Sequence, residues 1–140
     1  YRRSSNGGQT RDNTIRVSKG NYEGGENGNP CISYLETISG ETTQKTLLAV
    51  WERQISATQY EVWLSFSNVP DAATLAWSEP ELLATVNMGS WQSGAMPVIS
   101  YLDHQGQERL VVVYCSSQGL KYQVSDDLGS NWSSPTLIST

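Results

Sequence analysis

An internal repeat is the feature that most constrains what this chain can fold into. Pro30-Cys-Ile-Ser-Tyr-Leu-Glu36 aligns with Pro97-Val-Ile-Ser-Tyr-Leu-Asp103 at an offset of 67 residues. Three more pairs of segments follow in the same order, at offsets of 63, 58 and 55: 46–51 with 109–114, 62–67 with 120–125, and 77–82 with 132–137. The falling offset places the longer connections in the first copy, and loops tolerate insertions. The sequence therefore predicts two copies of one four-segment unit.

Each repeated segment has the composition of a β-strand. The segments are short and rich in Val, Ile, Leu, Tyr and Trp, and turn-forming residues separate them. No window of a dozen residues shows the uninterrupted apolar spacing of an amphipathic helix. The pattern predicts an all-β protein of the sandwich, barrel or propeller type.

A turn motif lies between the third and fourth segments of the second copy. Ser125-Asp-Asp-Leu-Gly-Ser-Asn-Trp132 fits the pattern S-x-D-x-G-x-x-W. In such a turn Asp127 can accept hydrogen bonds from backbone amides, Gly129 can adopt a positive φ, and Trp132 can pack beneath the hairpin. The first copy keeps Ser67 and Trp77 at the ends of the motif but has three extra residues and no glycine between them.

This turn, with the Trp-Ser-x-Pro sequence that begins at its last residue, resembles the Asp-box (BNR) repeat of sialidase-like β-propellers over residues 30–140. The resemblance implies two four-stranded antiparallel blades plus an N-terminal partial blade, which is an incomplete propeller. It also implies that Ser125, Asp127, Gly129 and Trp132 are structural, because the family's boxes lie on the rim away from the active site. Asp126 is expected to be structural for the same reason.

The domain boundaries follow from the repeat. Residues 30–86 are predicted to form a blade with a degenerate box, residues 87–95 an inter-blade junction, and residues 96–140 a blade with a full box. Residues 1–29 begin as a flexible basic arm. Within them Thr14-Ile-Arg-Val-Ser18 resembles a third strand, so this region is either a degenerate blade end or a loop.

The resemblance also indicates where a ligand would lie. In that family the ligand sits over the rim formed by the connections from second to third strand and from blade to blade. Here that rim comprises residues 52–59, 87–94 and 115–119, with the glycine-rich loop before Pro30 as a further candidate. Trp91 is the leading candidate, since an exposed indole can stack on a sugar, although it could equally pack against the neighbouring blade. Gln92 and Gln118 belong to the same connections.

Arg53 is the candidate for holding an anion on this rim, because a guanidinium offers a two-pronged donor for a carboxylate. The alternatives are a solvated loop arginine or one paired with Glu52. A sialidase of this kind would bring three arginines, a Tyr/Glu nucleophilic pair and an acid/base Asp. This chain has six arginines, four of them within the first sixteen residues, and lacks the family's Arg-Ile-Pro motif. Glu36 and Asp103 occupy equivalent positions and are expected beside hairpin turns.

We therefore expect a non-catalytic carbohydrate-binding or scaffolding propeller, with no catalytic residue in this chain. The alternative is a fragment of a sialidase-type exo-glycosidase whose catalytic groups lie mostly in other blades, and an oligomer that binds no small ligand is a third option. Two blades alone would leave an apolar face at each end. The expected partners are thus further copies of the chain or the remainder of a larger propeller. The resemblance suggests an extracellular or periplasmic location.

Charge and composition bear on several other partner classes. Residues 21–140 carry thirteen acids against four Lys or Arg, which argues against a nucleic-acid-binding surface. No apolar run approaches the length of a membrane span. His104 has no neighbouring His or Cys cluster, so we expect neither a metal nor another cofactor. Cys31 and Cys115 are either buried free thiols or a disulfide pair.

Overall fold

The structure is a computed structural model that describes residues 7–10, 17, 26–39, 41–67, 76–89, 94–104 and 107–139. These residues contain eight strands and no helix. The strands are β1 (Glu26–Ser39), β2 (Thr42–Gln54), β3 (Gln59–Ser67), β4 (Glu81–Asn87), β5 (Val98–His104), β6 (Gln107–Ser116), β7 (Gly119–Ser125) and β8 (Thr136–Ser139). Accordingly, no described helix could cross a membrane. The prediction of an all-β protein is confirmed.

The strands form two four-stranded antiparallel sheets. The first sheet has the order β1-β2-β3-β4 and the second has the order β5-β6-β7-β8. Every strand pairs with its neighbour in sequence. The β1–β2, β3–β4, β5–β6 and β7–β8 connections therefore lie at the same end of the strands, and we call this end of the sheets the hairpin edge. The β2–β3 and β6–β7 loops and the β4–β5 junction lie at the opposite edge, which we call the junction edge.

The pairing registers of the two sheets repeat with the offsets found in the sequence. Tyr34 pairs with Leu47 in the first sheet, and Tyr101 pairs with Leu110 in the second. The same correspondence joins the other strand pairs: Leu47–Ser67 with Leu110–Ser125, and Trp63–Leu82 with Lys121–Leu137. A register shift falls at the same place in both copies, between Val62 and Trp63 and between Leu120 and Lys121. The two sheets are therefore repeats in backbone pairing as well as in sequence.

The serine of each Trp-Ser sequence fastens the chain to the third strand of its sheet. Ser78 donates its backbone N–H to the Phe66 carbonyl at 2.8 Å, and its hydroxyl accepts the Phe66 N–H at 3.1 Å. Ser133 makes the equivalent two bonds to Val124, at 2.8 and 2.9 Å. These bonds extend the pairing of the third strand to the residues that precede the fourth strand, and the same serine makes them in both copies.

One apolar core joins the two sheets. The face of the first sheet that is turned toward the second, which we call the first inner face, contributes Leu35, Leu48, Val50, Val62 and Leu64. The facing surface, which we call the second inner face, contributes Ile99, Leu110, Val112 and Tyr114. All nine side chains are almost fully buried. Within β2, β3 and β6 these residues are two positions apart, which places them on one side of each strand.

The other side of the first sheet, which we call the first outer face, has its own small cluster. Leu47, Ala49 and Trp77 are buried there, and Val17 packs against them. Val17 is the one described residue of the segment that resembles a third strand; the rest of Thr14–Ser18 lies outside the described residues, as do residues 1–6 and 18–25. The first sheet thus has buried apolar residues on both faces.

The cysteines do not form a disulfide. Cys31 and Cys115 are both free, and each is half-buried against the main core. Of the two readings of the sequence, the structure supports the free, partly buried thiols. Both sulfur atoms lie on strands that also carry apolar side chains, where a thiol packs as a small hydrophobic group.

A comparison of two equivalent leucines tests the asymmetry of burial between the sheets. Leu35→Ala should lower the free energy of unfolding by about 2–5 kcal/mol, because it opens a cavity in the shared core. Leu102→Ala, at the equivalent and exposed position, should cost less than about 1 kcal/mol at low protein concentration. Urea denaturation followed by tryptophan fluorescence measures both. Equal losses would mean that Leu102 is as buried as Leu35.

Candidate functional site

Backbone hydrogen bonds gather the connections of the junction edge into one unit. The Met88 N–H donates to the Thr58 carbonyl at 2.7 Å, which ties the β4–β5 junction to the β2–β3 loop. The Ser117 N–H donates to the Asn87 carbonyl and the Cys115 N–H donates to the Ala95 carbonyl, both at 2.7 Å. The junction is therefore fixed to the first sheet at its start and to the second sheet on both sides of residues 90–93.

A buried carboxylate lies at the centre of this edge. Glu52 is 5% exposed, at the end of β2. Its Oε1 accepts a hydrogen bond from Asn29 Nδ2 at 2.7 Å, and its Oε2 accepts one from the Met96 backbone N–H at 2.8 Å. A buried carboxylate needs such donors to offset its lost hydration. Glu52 thus bonds the start of one sheet and the start of the next at the same time.

The two donors to Glu52 occupy equivalent positions in the repeat. Asn29 precedes Pro30 and Met96 precedes Pro97, and both have a φ of 45°. This left-handed conformation is uncommon for residues other than glycine. The same left-handed conformation therefore occurs before Pro30, at the register shift within β1, and before Pro97, just ahead of β5, and one carboxylate accepts a hydrogen bond from both residues.

Gly94 is required by the carboxylate beside it. A Cβ atom at residue 94 would lie 2.7 Å from Glu52 Oε1 and 2.8 Å from Oε2. At Gly28 the corresponding distance to Oε1 is 3.4 Å, which is tight but less severe. The junction approaches Glu52 closely only because residue 94 has no side chain.

Arg53 lies on the other face of β2 from Glu52. Its Nη1 is 3.5 Å from Glu61 Oε2 on the neighbouring strand, and the side chains of both residues are largely buried. Trp63 Nε1 donates to the same Glu61 oxygen at 3.0 Å. The acidic partner of this arginine is therefore Glu61 across the sheet. The contact holds the guanidinium against the first outer face.

Of the other rim candidates, the structure describes Gln118 but not Trp91 or Gln92. Gln118 is exposed at the tip of the two-residue β6–β7 loop, and its N–H donates to Ser116 Oγ at 3.3 Å. Ser116 Oγ in turn donates to the Gly119 carbonyl at 2.9 Å, which closes the turn. Trp91 and Gln92 lie outside the described residues, between the described Gly89 and Gly94.

The S-x-D-x-G-x-x-W turn forms a closed hydrogen-bond network at the hairpin edge. Ser125 Oγ donates to Asp127 Oδ1 at 2.7 Å and accepts the Gly129 N–H at 2.7 Å. Asp127 also accepts the Asn131 N–H at 2.8 Å and the Asn131 side-chain amide at 2.7 Å. Gly129 has a φ of 100°, which favours glycine. Trp132 packs against the main core.

The charges of this turn are accounted for by local contacts. The hydrogen bonds from the Asn131 side chain, the Asn131 backbone and Ser125 hold the pKa of Asp127 below its usual value. Asp126 pairs with Arg109 of β6, with 2.5 Å between Oδ1 and Nε. The two adjacent aspartates therefore make different structural contacts.

Tyrosines at equivalent positions on β1 and β5 each donate to a carboxylate near the hairpin edge. Tyr34 OH lies 2.7 Å from Glu36 Oε2, and Tyr101 OH lies 3.0 Å from Glu108 Oε1. Burial, followed by the hydrogen bond to Glu108, raises the pKa of Tyr101. Glu36 and Asp103 lie near the β1–β2 and β5–β6 turns respectively, on the edge opposite the candidate rim.

Sequence reasoning missed Glu52 as a structural centre and considered it only as a partner of Arg53. A signal was available, since Glu52 follows Leu48 and Val50 at a spacing of two and therefore shares their inward side of β2. Among the described residues, no group of three or more His, Cys, Asp or Glu side chains could hold a metal ion.

Comparison of the chain with protein-family models, curated proteins and solved structures finds no significant match in any of the three.

A double-mutant cycle tests the contact between Glu52 and Gly94. Glu52→Ala should cost about 1–3 kcal/mol of stability, because it removes the charged acceptor of both the Met96 N–H and the Asn29 side-chain amide. Gly94→Ala should cost a similar amount in the native background and much less when Glu52 is already alanine, giving a coupling of about 1 kcal/mol or more. Gly28→Ala serves as the milder steric control. Strict additivity in chemical denaturation would contradict the contact.

The acid titration of Asp127 gives a second test. Because its folded pKa is depressed, its contribution to stability is present above the unfolded pKa of about 3.9 and is lost as the pH falls through the folded value. Asp127→Asn should therefore melt below the native protein at pH 6, with a gap that narrows as the pH falls below about 4. A gap that stays constant down to pH 2 would show that the carboxylate charge contributes nothing.

Proposed function

We propose that this chain is part of a β-propeller similar to the sialidase-like Asp-box family, and that it acts as a non-catalytic carbohydrate-binding or scaffolding unit. The observation that carries the proposal is the repeated register of the two sheets, combined with the hydrogen-bonded turn of Ser125, Asp127 and Gly129. Sequential antiparallel four-stranded sheets packed face to face are the building pattern of propellers.

The environment of Arg53 supports the non-catalytic version of this proposal. A sialidase-type site needs guanidinium groups that are open to a substrate carboxylate. Arg53 instead contacts Glu61, and only 15% of its side chain is exposed. If Arg53 bound an anion instead, that ion pair would break. The largely buried Glu61 carboxylate would then lose its cationic partner, which is costly.

The junction edge supports the placement of a ligand. Its connections are held together by three backbone hydrogen bonds and by Glu52, so the backbone that carries side chains on this edge is held in place. Gln118 is exposed on this edge, and the segment that carries Trp91 and Gln92 begins and ends on it. A rigid backbone beneath a binding surface lowers the entropic cost of binding.

In this proposal the partners that complete the ring are further copies of the chain or the remainder of a larger propeller. The resemblance places the protein outside the cytoplasm, in an extracellular or periplasmic setting. Both statements follow from the proposed family and are independent of which glycan is bound.

The lectin version predicts a measurable glycan affinity that depends on Trp91. The native chain should bind at least one member of a broad glycan panel, and Trp91→Ala should weaken that binding by about tenfold through loss of stacking. Trp91→Phe should retain most of the affinity, and Gln118→Ala reports the contribution of the neighbouring loop. Calorimetric titration of the panel hits measures all four proteins.

Two outcomes separate the versions of the proposal. Silence of the native chain across the whole panel would eliminate carbohydrate binding and leave the scaffolding role. Binding that is unchanged in Trp91→Ala would show that the glycan is held elsewhere on the molecule.

A further inference from the structure

The outer face of the second sheet is apolar and open, whereas the equivalent face of the first sheet is buried. We call this surface the second outer face; its apolar residues are Val98, Leu102, Val111, Val113, Leu120 and Tyr122, and Ser100 and Arg109 lie on the same side. Leu102 is 49% exposed and its equivalent Leu35 is 2% exposed. Leu120 is 42% exposed and its equivalent Val62 is fully buried. The same side of the repeated unit is therefore buried in the first sheet and exposed in the second.

The opposite imbalance occurs on the first outer face. Ile32 is 46% exposed there, whereas its equivalent Ile99 is 4% exposed within the core between the sheets. Tyr34 is 47% exposed, and its equivalent Tyr101 is half-buried. Val17 packs against Leu47, Ala49 and Trp77 of this face. The β1 side of the first outer face is thus open and partly apolar, whereas the equivalent residues of the second sheet are buried or half-buried.

We propose that the second outer face of one copy of this chain packs on the first outer face of a second copy, with β1 of that copy at the centre of the contact. The interface repeats between chains the contact that β5 makes with β1 within one chain. The β2 part of the first outer face, with Leu47, Ala49 and Trp51, is already buried within the chain and lies outside the interface. This inference rests on the proposed propeller assembly and extends it by naming the surfaces that meet.

The chemistry of the two faces supports this pairing. Leu102, Leu120 and Ile32 are the exposed members of two surfaces whose counterparts, Leu35, Val62 and Ile99, share one core. Burying them removes apolar area from water, which is the main favourable contribution to association. The contact joins two different surfaces, so successive copies continue in one direction until a ring closes.

One difference sets the expected strength of the interface. The residue equivalent to Glu52 on the second sheet is Cys115, which has no carboxylate to accept a backbone N–H from the next unit. The contact between copies therefore lacks the hydrogen-bonded bridge that joins the two sheets of one chain. We expect an association that depends on protein concentration.

The test measures the mass of the particle in solution by sedimentation velocity and light scattering, over about 1–100 µM, the range of moderate affinities. The native chain should move from the mass of one chain toward a closed multiple as the concentration rises. Leu120→Asp and Ile32→Asp, at exposed positions on the two faces, should each reduce the assembly of the isolated variant to one chain. Leu128→Asp, which is 38% exposed in the turn at the hairpin edge, should assemble like the native chain.

A mixing experiment distinguishes this interface from a symmetric one. The Leu120→Asp variant keeps an intact first outer face, and the Ile32→Asp variant keeps an intact second outer face. Mixed together, they should form a particle of two chains and no larger species. Circular dichroism establishes that each variant is folded before mixing.

Three results would overturn the proposal. A native chain that stays at the mass of one chain at the highest concentration shows that no such interface forms. Assembly that survives Ile32→Asp, or a mixture that fails to pair, shows that the second outer face meets a different surface. Glycan binding is measured separately, so a lectin that never assembles and an assembly that binds no glycan are distinguishable.

Discussion

The packing of one sheet face against a different sheet face is the constraint on which the rest of this structure depends. Each four-stranded sheet has apolar residues on both sides, and an apolar face is stable only when it is covered. Leu35, Val50 and Leu64 supply one side of the shared core, and Ile99 and Val112 supply the other. Because the two faces differ, the sheets stack in one direction, and this fixes which strands lie close to one another.

Glu52 reinforces this stacking with a polar contact that the apolar faces cannot provide. Hydrophobic packing has little directional preference, so on its own it would leave the second sheet free to slide. Hydrogen bonds from Asn29 and Met96 to one buried carboxylate set the relative position of the two strand starts. The left-handed backbone at both donors is tolerated because this arrangement fixes it.

The sequence was sufficient to predict the strand-forming segments and their repeat in two copies. Apolar alternation with a period of two determines which side of a strand is buried, and the matched Tyr34 and Tyr101 mark the same register in both copies. The repeat also matches Ser78 with Ser133, although their bonds to the third strand could not be predicted. Such bonds depend on how the chain returns to the sheet.

Contacts between side chains on different strands were beyond the sequence. Arg53 adjoins Glu52 in the chain, yet adjacent residues of a strand point to opposite faces, so its partner is Glu61 across the β2–β3 pairing. The state of Cys31 and Cys115 was similarly open, because it depends on the distance between two sheets. Whether each candidate on the rim faces a ligand is also a property of loops, which the repeat does not determine.

The equality of the two registers has a consequence for how the chain reaches its native state. Since β1 and β5 have the same pattern, as do β2 and β6, a strand of one copy could pair in register with the wrong copy during folding, which is a characteristic error of repeat proteins. The connections oppose this error: the two-residue β6–β7 loop enforces local pairing, and the Glu52 contact requires Asn29 and Met96 in their own places. These differences between the two copies thus favour pairing of each strand with its neighbour in sequence.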